Sequence, residues 1–161
     1  MDTNKVLLNQ SQSLQQSIVV NPKSSQTPIK KLPGKNQHYI MFQDKPLGKG
    51  AFATVYQGRS MAAEPKKNYA IKVISKETLR TIRNASYEQL TKYLNTEIKI
   101  LANFNHPNII HLEEFIQTPS NFYIIFELCE GGDLYNFLKE NGRLDEFTAQ
   151  RFFYQLAQAI R

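Results

Sequence analysis

Leu47-Gly48-Lys49-Gly50-Ala51-Phe52-Ala53-Thr54-Val55-Tyr56 decides the fold, because its two glycines lead into another strand and not into a helix. Tyr39 to Leu47 before the turn and Thr54 to Arg59 after it are rich in aromatic and β-branched residues, the composition of two strands around a tight connection. In a dinucleotide-binding fingerprint the glycines would open a helix holding a pyrophosphate, with an acid about 20 residues further on reaching the ribose. The β-branched pair Thr54 and Val55 argues against that and for a hairpin folded over phosphates. Gly48 and Gly50 would let backbone amides approach phosphate oxygens, and glycine also admits backbone angles that a Cβ forbids. By itself a two-glycine turn is more often a plain hairpin connection than a phosphate cradle.

Downstream, a polar loop through Ser60 to Lys67 precedes a third strand, Asn68 to Ser75, whose alternation puts Ala70, Lys72 and Ile74 on one face. After a short helical turn from Lys76, the stretch Tyr87 to Asn103 carries Leu90, Tyr93, Leu94, Ile98 and Leu101 at helical spacing. Glu97 falls in the arc of Leu90, Leu94 and Leu101, because 90, 94, 97 and 101 follow the i, i+4, i+7, i+11 pattern. An ionised carboxylate in an apolar stripe needs a cation, and Lys72 is the natural candidate on the sheet that the stripe packs against. The plainer alternatives are a lysine whose ammonium stays in water and a glutamate at the stripe's margin. Loop, lysine and glutamate together form a nucleotide-binding constellation.

Two further strands, about Ile109 to Gln117 and Asn121 to Leu128, complete a five-stranded sheet with one inserted helix. Asp133 can cap a helix running to about Glu140 that Asn141 and Gly142 terminate, and a last helix begins near Asp145. No internal repeat is present.

With 161 residues, 41% of them hydrophobic, the chain suits one domain plus a tail. Residues 1–37 contain no aromatic residue and are dominated by Gln, Asn, Ser, Lys and Pro, so they are predicted to be a disordered basic tail ahead of a domain at 38–161. Five lysines against the single acid Asp2 give that tail +4 of the formal charge of +6. The remainder is nearly balanced, and lysines without interleaved aromatics offer bases no stacking platform, so nucleic acid is not an expected partner. Cys129, the single cysteine, can form neither an internal disulfide nor a metal cluster, which suits a reducing compartment. The apolar runs Val6 to Leu8 and Ile18 to Val20 are too short for a membrane span or a signal-peptide core, and Asp2 excludes the myristoylation pattern. A cytoplasmic location is expected, with the nucleus left open, and the sequons at Asn9 and Asn84 are then chance matches.

Leu47 to Val55, Tyr69-Ala70-Ile71-Lys72 and Glu97 resemble the glycine loop, strand lysine and helix glutamate of protein kinases. His106-Pro107-Asn108-Ile109 and Glu127-Leu128-Cys129-Glu130-Gly131-Gly132-Asp133-Leu134 extend the resemblance, which covers about Tyr39 to Arg161. Ala53 departs from the pattern, standing where kinases commonly carry a third glycine; it is expected to stiffen the loop tip and leave ATP binding intact. The resemblance implies an α+β fold, a kinase-like N-lobe of five antiparallel strands plus one long helix, followed by two helices of an incomplete helical lobe. It implies ATP over Gly48, Lys49, Gly50, Ala51, Phe52 and Ala53, with adenine between Leu47, Val55 and Ala70, and Phe126 as gatekeeper. Adenine would bond to the main chain at Glu127 and Cys129. It also implies that Lys72 contacts the α- and β-phosphates with Glu97 as its partner, and that Asp133 reaches the ribose, although Asp133 is equally placed to cap a helix.

Phosphoryl transfer further needs an aspartate for the acceptor hydroxyl and Asp and Asn side chains for Mg²⁺. Asp2, Asp44, Asp133 and Asp145 are the only aspartates, and none stands in a His-Arg-Asp or Asp-Phe-Gly context. These residues are therefore read as the ATP-binding part of a serine/threonine kinase whose full-length form phosphorylates proteins with Mg²⁺, truncated before the catalytic loop and inactive alone. The alternative is a non-catalytic kinase-like binding module. Gly48 to Ala53 and Glu130 to Leu134 resemble either kinases that initiate autophagy or the calmodulin-dependent group.

Overall fold

The computed structural model describes residues 28–62 and 66–160, so the reading of residues 1–27 as a disordered tail lies outside them. Six strands form one antiparallel sheet: β1 (Ile29–Pro33), β2 (His38–Lys49), β3 (Ala53–Ser60), β4 (Asn68–Ser75), β5 (Leu112–Gln117) and β6 (Asn121–Glu127). Their order is β1-β2-β3-β4-β6-β5. Helices α1 (Lys76–Arg80) and α2 (Tyr87–Asn103) connect β4 to β5, while α3 (Leu134–Asn141) and α4 (Glu146–Ile160) follow the sheet. The expected α+β architecture is present, with one strand more than the five expected.

That sixth strand corrects the domain boundary near His38, because Ile29–Pro33 lies in the segment read as tail and pairs with β2 from Ile29↔Phe42 to Pro33↔His38. Two lysines and a proline in five residues give no strand signal of their own. What orders them is distant: Leu32 is 1% exposed in the core, and Lys30 Nζ donates to Tyr123 OH at 2.6 Å. β5 in turn starts at Leu112 and not near Ile109, because a turn comes first in which Ile109 N donates to His106 O and Asn108 N to His106 Nδ1, both at 3.1 Å.

Alternation along β4 separates two cores. Tyr69 and Ile71 join Leu32, Tyr39, Tyr123 and Ile125 on one face, while Ile74 joins Leu79, Leu94, Ile98, Phe122 and Ile124 beneath α2 on the other. Gly58 marks how closely β2, β3 and β4 approach, since a Cβ there would meet the Ile71 side chain and lie 2.8 Å from Ile40 O. A backbone oxygen inside the ladder cannot yield. Gly58→Ala is therefore expected to cost about 1–3 kcal/mol by overpacking, read as a lower urea midpoint at unchanged slope.

α2 is held at its start by a reciprocal cap, Ser86 Oγ accepting from Gln89 N at 3.2 Å and Gln89 Oε1 from Ser86 N at 3.1 Å. The side chains it buries are Leu94 and Ile98. At 100° per residue Glu97 lies roughly 80° from the mid-line of that pair. It is exposed. The expectation of a carboxylate buried in the apolar stripe is corrected: Glu97 belongs to the stripe's margin.

Candidate functional site

β2 and β3 meet in a two-residue tip, with Gly50 N donating to Ala53 O at 2.8 Å and Gly48 and Lys49 paired with Val55 and Thr54. Among the described residues only Gly132 and Gly142 have positive φ, so the forbidden backbone angles expected of Gly48 and Gly50 are not what these glycines supply. They supply space. A Cβ on Gly48 would meet nothing within 4 Å, and one on Gly50 only Ala53 O at 3.7 Å. The main chain of the hairpin end is therefore approachable from outside, as an amide cradle for an anion requires.

A cavity of about 380 Å³ is lined by Gly50, Ala51, Phe52 and Ala53 of the tip, by Lys72 and Ile74 of β4, by Leu79 of α1, and by Leu90, Tyr93, Leu94 and Glu97 of α2. Lys72 is half-buried there, opposite Val55 on one side and Ile124 on the other. Lys72 and Glu97 thus share one cavity, yet among the described residues no ion pair joins them. The burial that was to force the pairing is absent because α2 turns its Leu94–Ile98 line, and not Glu97, toward the sheet.

Register places Val55, Ala70, Lys72 and Phe126 on the same face of the sheet, since Val55 pairs with Lys72 and Ala70 with Phe126. All four are half-buried. Leu47, 50% exposed, sits at the register irregularity between Pro46 and Gly48. Lys49 lines a separate cavity of about 210 Å³, where the hairpin tip meets Tyr56, Val73, Ser75 and Thr78.

β6 ends at Glu127 and α3 begins at Leu134, so the intervening backbone has left the sheet. Glu127 N donates to His111 O at 3.1 Å while its Oε1 accepts from His111 N at 2.8 Å, which occupies the side chain in tying the two strand ends together. Glu127 and exposed Cys129 line a third cavity, of about 450 Å³, with Asn108, Ile109, Phe152 and Leu156 among its walls. Asn108 Nδ2 also donates to Gln155 O at 3.1 Å and Gln158 Oε1 at 3.2 Å, docking α4 beside this strand end. Asp133 is the helix cap that the sequence allowed: Oδ1 accepts from Asn136 N at 2.7 Å and Oδ2 from Asn136 Nδ2 at 3.2 Å.

The residues brought together around one cavity are therefore Gly50 to Ala53, Lys72 and Glu97, with Val55, Ala70 and Phe126 on the adjoining sheet face. Leu79 is a wall that sequence reasoning missed. Its helix is five residues long, too short for an apolar period to declare a buried face. No group of three or more His, Cys, Asp or Glu side chains able to hold a metal occurs among the described residues.

A profile of the protein kinase domain matches residues 42–161. Myosin light chain kinase A of Dictyostelium discoideum is 40% identical over 114 residues, covering 71% of this chain and 36% of that protein. CBL-interacting protein kinase 19 of Oryza sativa subsp. japonica is 42% identical over 114 residues, covering 71% of this chain and 21% of the relative. The crystal structure of Rad53 1-466 in complex with AMP-PNP superimposes with a TM-score of 0.58 at 26% identity, over 82% of this chain and 29% of that one. The chain thus spans between about a fifth and about a third of the length of these proteins.

Proposed function

The chain belongs to the protein kinase domain family, of serine/threonine type, and from that premise we propose that it holds ATP for transfer of the γ-phosphoryl group to protein hydroxyls. The observation that carries the reading is the convergence of an approachable hairpin main chain and a half-buried ammonium, Lys72, on one cavity of about 380 Å³. Amide dipoles and one cation, partly shielded from water, are what a polyphosphate needs from a protein. Leu47, Val55, Ala70 and Phe126 offer an apolar bed to the adenine ring, while the main chain at Glu127 and Cys129 takes its polar edge. Lys72 contacts the α- and β-phosphates. Glu97 lies across the same cavity and reaches Lys72 when α2 closes toward β4, so the helix position sets the competence of the site.

ATP supplies the transferable group, and this chain's residues bind and orient it. No Asp in the sequence stands in a His-Arg-Asp or Asp-Phe-Gly context, so the 161 residues alone bind without transferring. In the full-length kinase the acceptors are serine and threonine hydroxyls of proteins. No helix among the described residues is long and apolar enough to cross a membrane.

Calorimetric titration of the chain with ATP, adenosine and inorganic triphosphate, alongside a radiolabelled transfer assay on a generic protein substrate, tests both halves. Saturable ATP binding without label incorporation is the expected result. Absence of ATP binding at millimolar concentration would sink the nucleotide reading, and incorporation of label would sink the inactivity of the chain.

A further inference from the structure

β1 lies outside the residues matched by the family profile, which begin at 42, and it is fastened to far more than its neighbour β2. β1 and β5 are opposite edges of the sheet, yet the chain around β1 bonds across to β5 and its neighbour β6. Lys30 Nζ donates to Tyr123 OH at 2.6 Å, the Lys35 main-chain N–H donates to Glu114 Oε1, and Tyr39 OH donates to Glu114 Oε2 at 2.9 Å. Gln37 Nε2 donates to Tyr69 OH at 2.9 Å and to Glu113 Oε1 at 3.4 Å. Leu32 fills the centre of this closure, against the core that holds Tyr39, Tyr69, Tyr123 and Ile125.

We propose that residues 28–37 are a strap, a segment ahead of the residues matched by the family profile that closes the rear core of the sheet and can release from it as a unit while the sheet stays folded. Beyond its ladder to β2, its attachments are concentrated on one apolar side chain and a few polar ties. One apolar side chain, Leu32, is buried, whereas Ile29, Lys31 and Pro33 are exposed, and two of the strap's polar ties, from Lys35 N and Gln37 Nε2, end on the adjacent carboxylates Glu114 and Glu113. β4 and β6, by contrast, are central strands laddered on both sides, with Ile71, Phe122 and Ile125 at 0% exposure. Segments with few buried apolar contacts open at a fraction of the global free energy. The turn is the vulnerable point: a Cβ on Gly34 would collide with Gln37 O, the Glu114 carboxylate and the Tyr39 ring. Release uncovers a socket matched to this chain's own 30–32 segment, with an apolar pocket flanked by the Tyr123 hydroxyl and the Glu114 carboxylate.

Hydrogen exchange of the whole chain, followed by mass spectrometry in rising urea, tests the strap without any nucleotide. Peptides covering 29–33 are expected to lose protection at lower urea than those covering 69–74 and 122–126. Gly34→Ala is expected to speed exchange at 29–33 at least tenfold and leave 122–126 unchanged, and Leu32→Ala to act in the same direction. Gly131→Ala, where an added Cβ meets nothing within 4 Å, serves as the control. Exchange of 29–33 in step with 69–74 at every urea concentration overturns the proposal, as does a strap already unprotected in the unaltered chain. Failure of both the Gly34→Ala and Leu32→Ala chains to fold overturns it too, because the segment would then belong to the cooperative core.

Discussion

Replacing Lys72 by methionine is expected to weaken ATP binding roughly tenfold to a hundredfold and to leave adenosine binding unchanged, because a hydrogen bond to a charged group contributes about 1.5–3 kcal/mol and each 1.4 kcal/mol is tenfold. Methionine keeps the apolar stem against Ile74 and Val55 while removing the ammonium, so lost packing does not confuse the result. Half-burial matters here: a phosphate contact made beside the sheet is screened less than one made on the open surface. Stability should hardly move. Lys72 has no carboxylate partner within ion-pair distance among the described residues, so its removal strands no buried charge. The same logic gives Glu97→Gln a smaller effect than Lys72→Met in the titration and a urea midpoint indistinguishable from that of the unaltered chain, since Glu97 is exposed. Equal ATP affinity for Lys72→Met and the unaltered chain would remove phosphate from this cavity. A loss of 3 kcal/mol or more in stability on Glu97→Gln would mean that the two charges are paired in solution after all.

Much of the fold was legible because the decisive signals are local. Asn68–Ser75 and Tyr87–Asn103 have the bounds that alternation and helical spacing predict, and Asp133 caps the helix it precedes. The hairpin was legible because Thr54 and Val55 follow the glycines directly. Three of the features that were not each depend on something remote in sequence. β1 exists because Leu32 and Lys30 find a core and a tyrosine assembled from β4, β5 and β6, so a window on residues 28–37 sees only lysines and proline. Glu97 matches the helical period of Leu90, Leu94 and Leu101, but periodicity fixes an arc and not its centre. The centre was chosen by Leu94 and Ile98 meeting Phe122 and Ile124, which no single helix reveals. The glycines of the hairpin were assigned a backbone role when their actual contribution is vacant volume, a property of neighbours and not of φ.

Phe122→Ala is expected to be the most destabilising single change named here, at about 3–5 kcal/mol, because it removes an aromatic side chain from a site that cannot collapse around the gap. Phe122 is 0% exposed, its ring stacks on Phe115 at 5.9 Å between centroids and 14° between planes, and it pairs across the ladder with Ile74. Lys76 adds a second loss. Its side chain is 7% exposed and its ammonium lies 4.7 Å from the Phe122 ring centre, so truncation takes away the ring face that a poorly hydrated cation rests on. Against a total of about 5–15 kcal/mol for a domain, that is a large share of stability. Urea denaturation should show a strongly lowered midpoint at unchanged slope, and Phe122→Leu, which refills most of the space, should recover more than half of the loss. The same ring supports Ile74 and Leu79, which wall the cavity shared by Lys72 and Glu97. ATP affinity of Phe122→Leu, measured where that chain is fully folded, should therefore fall two- to fivefold although residue 122 lines no part of the cavity. A variant with normal stability would show that the core beneath α2 relaxes freely, and the cavity's walls would then need a different support.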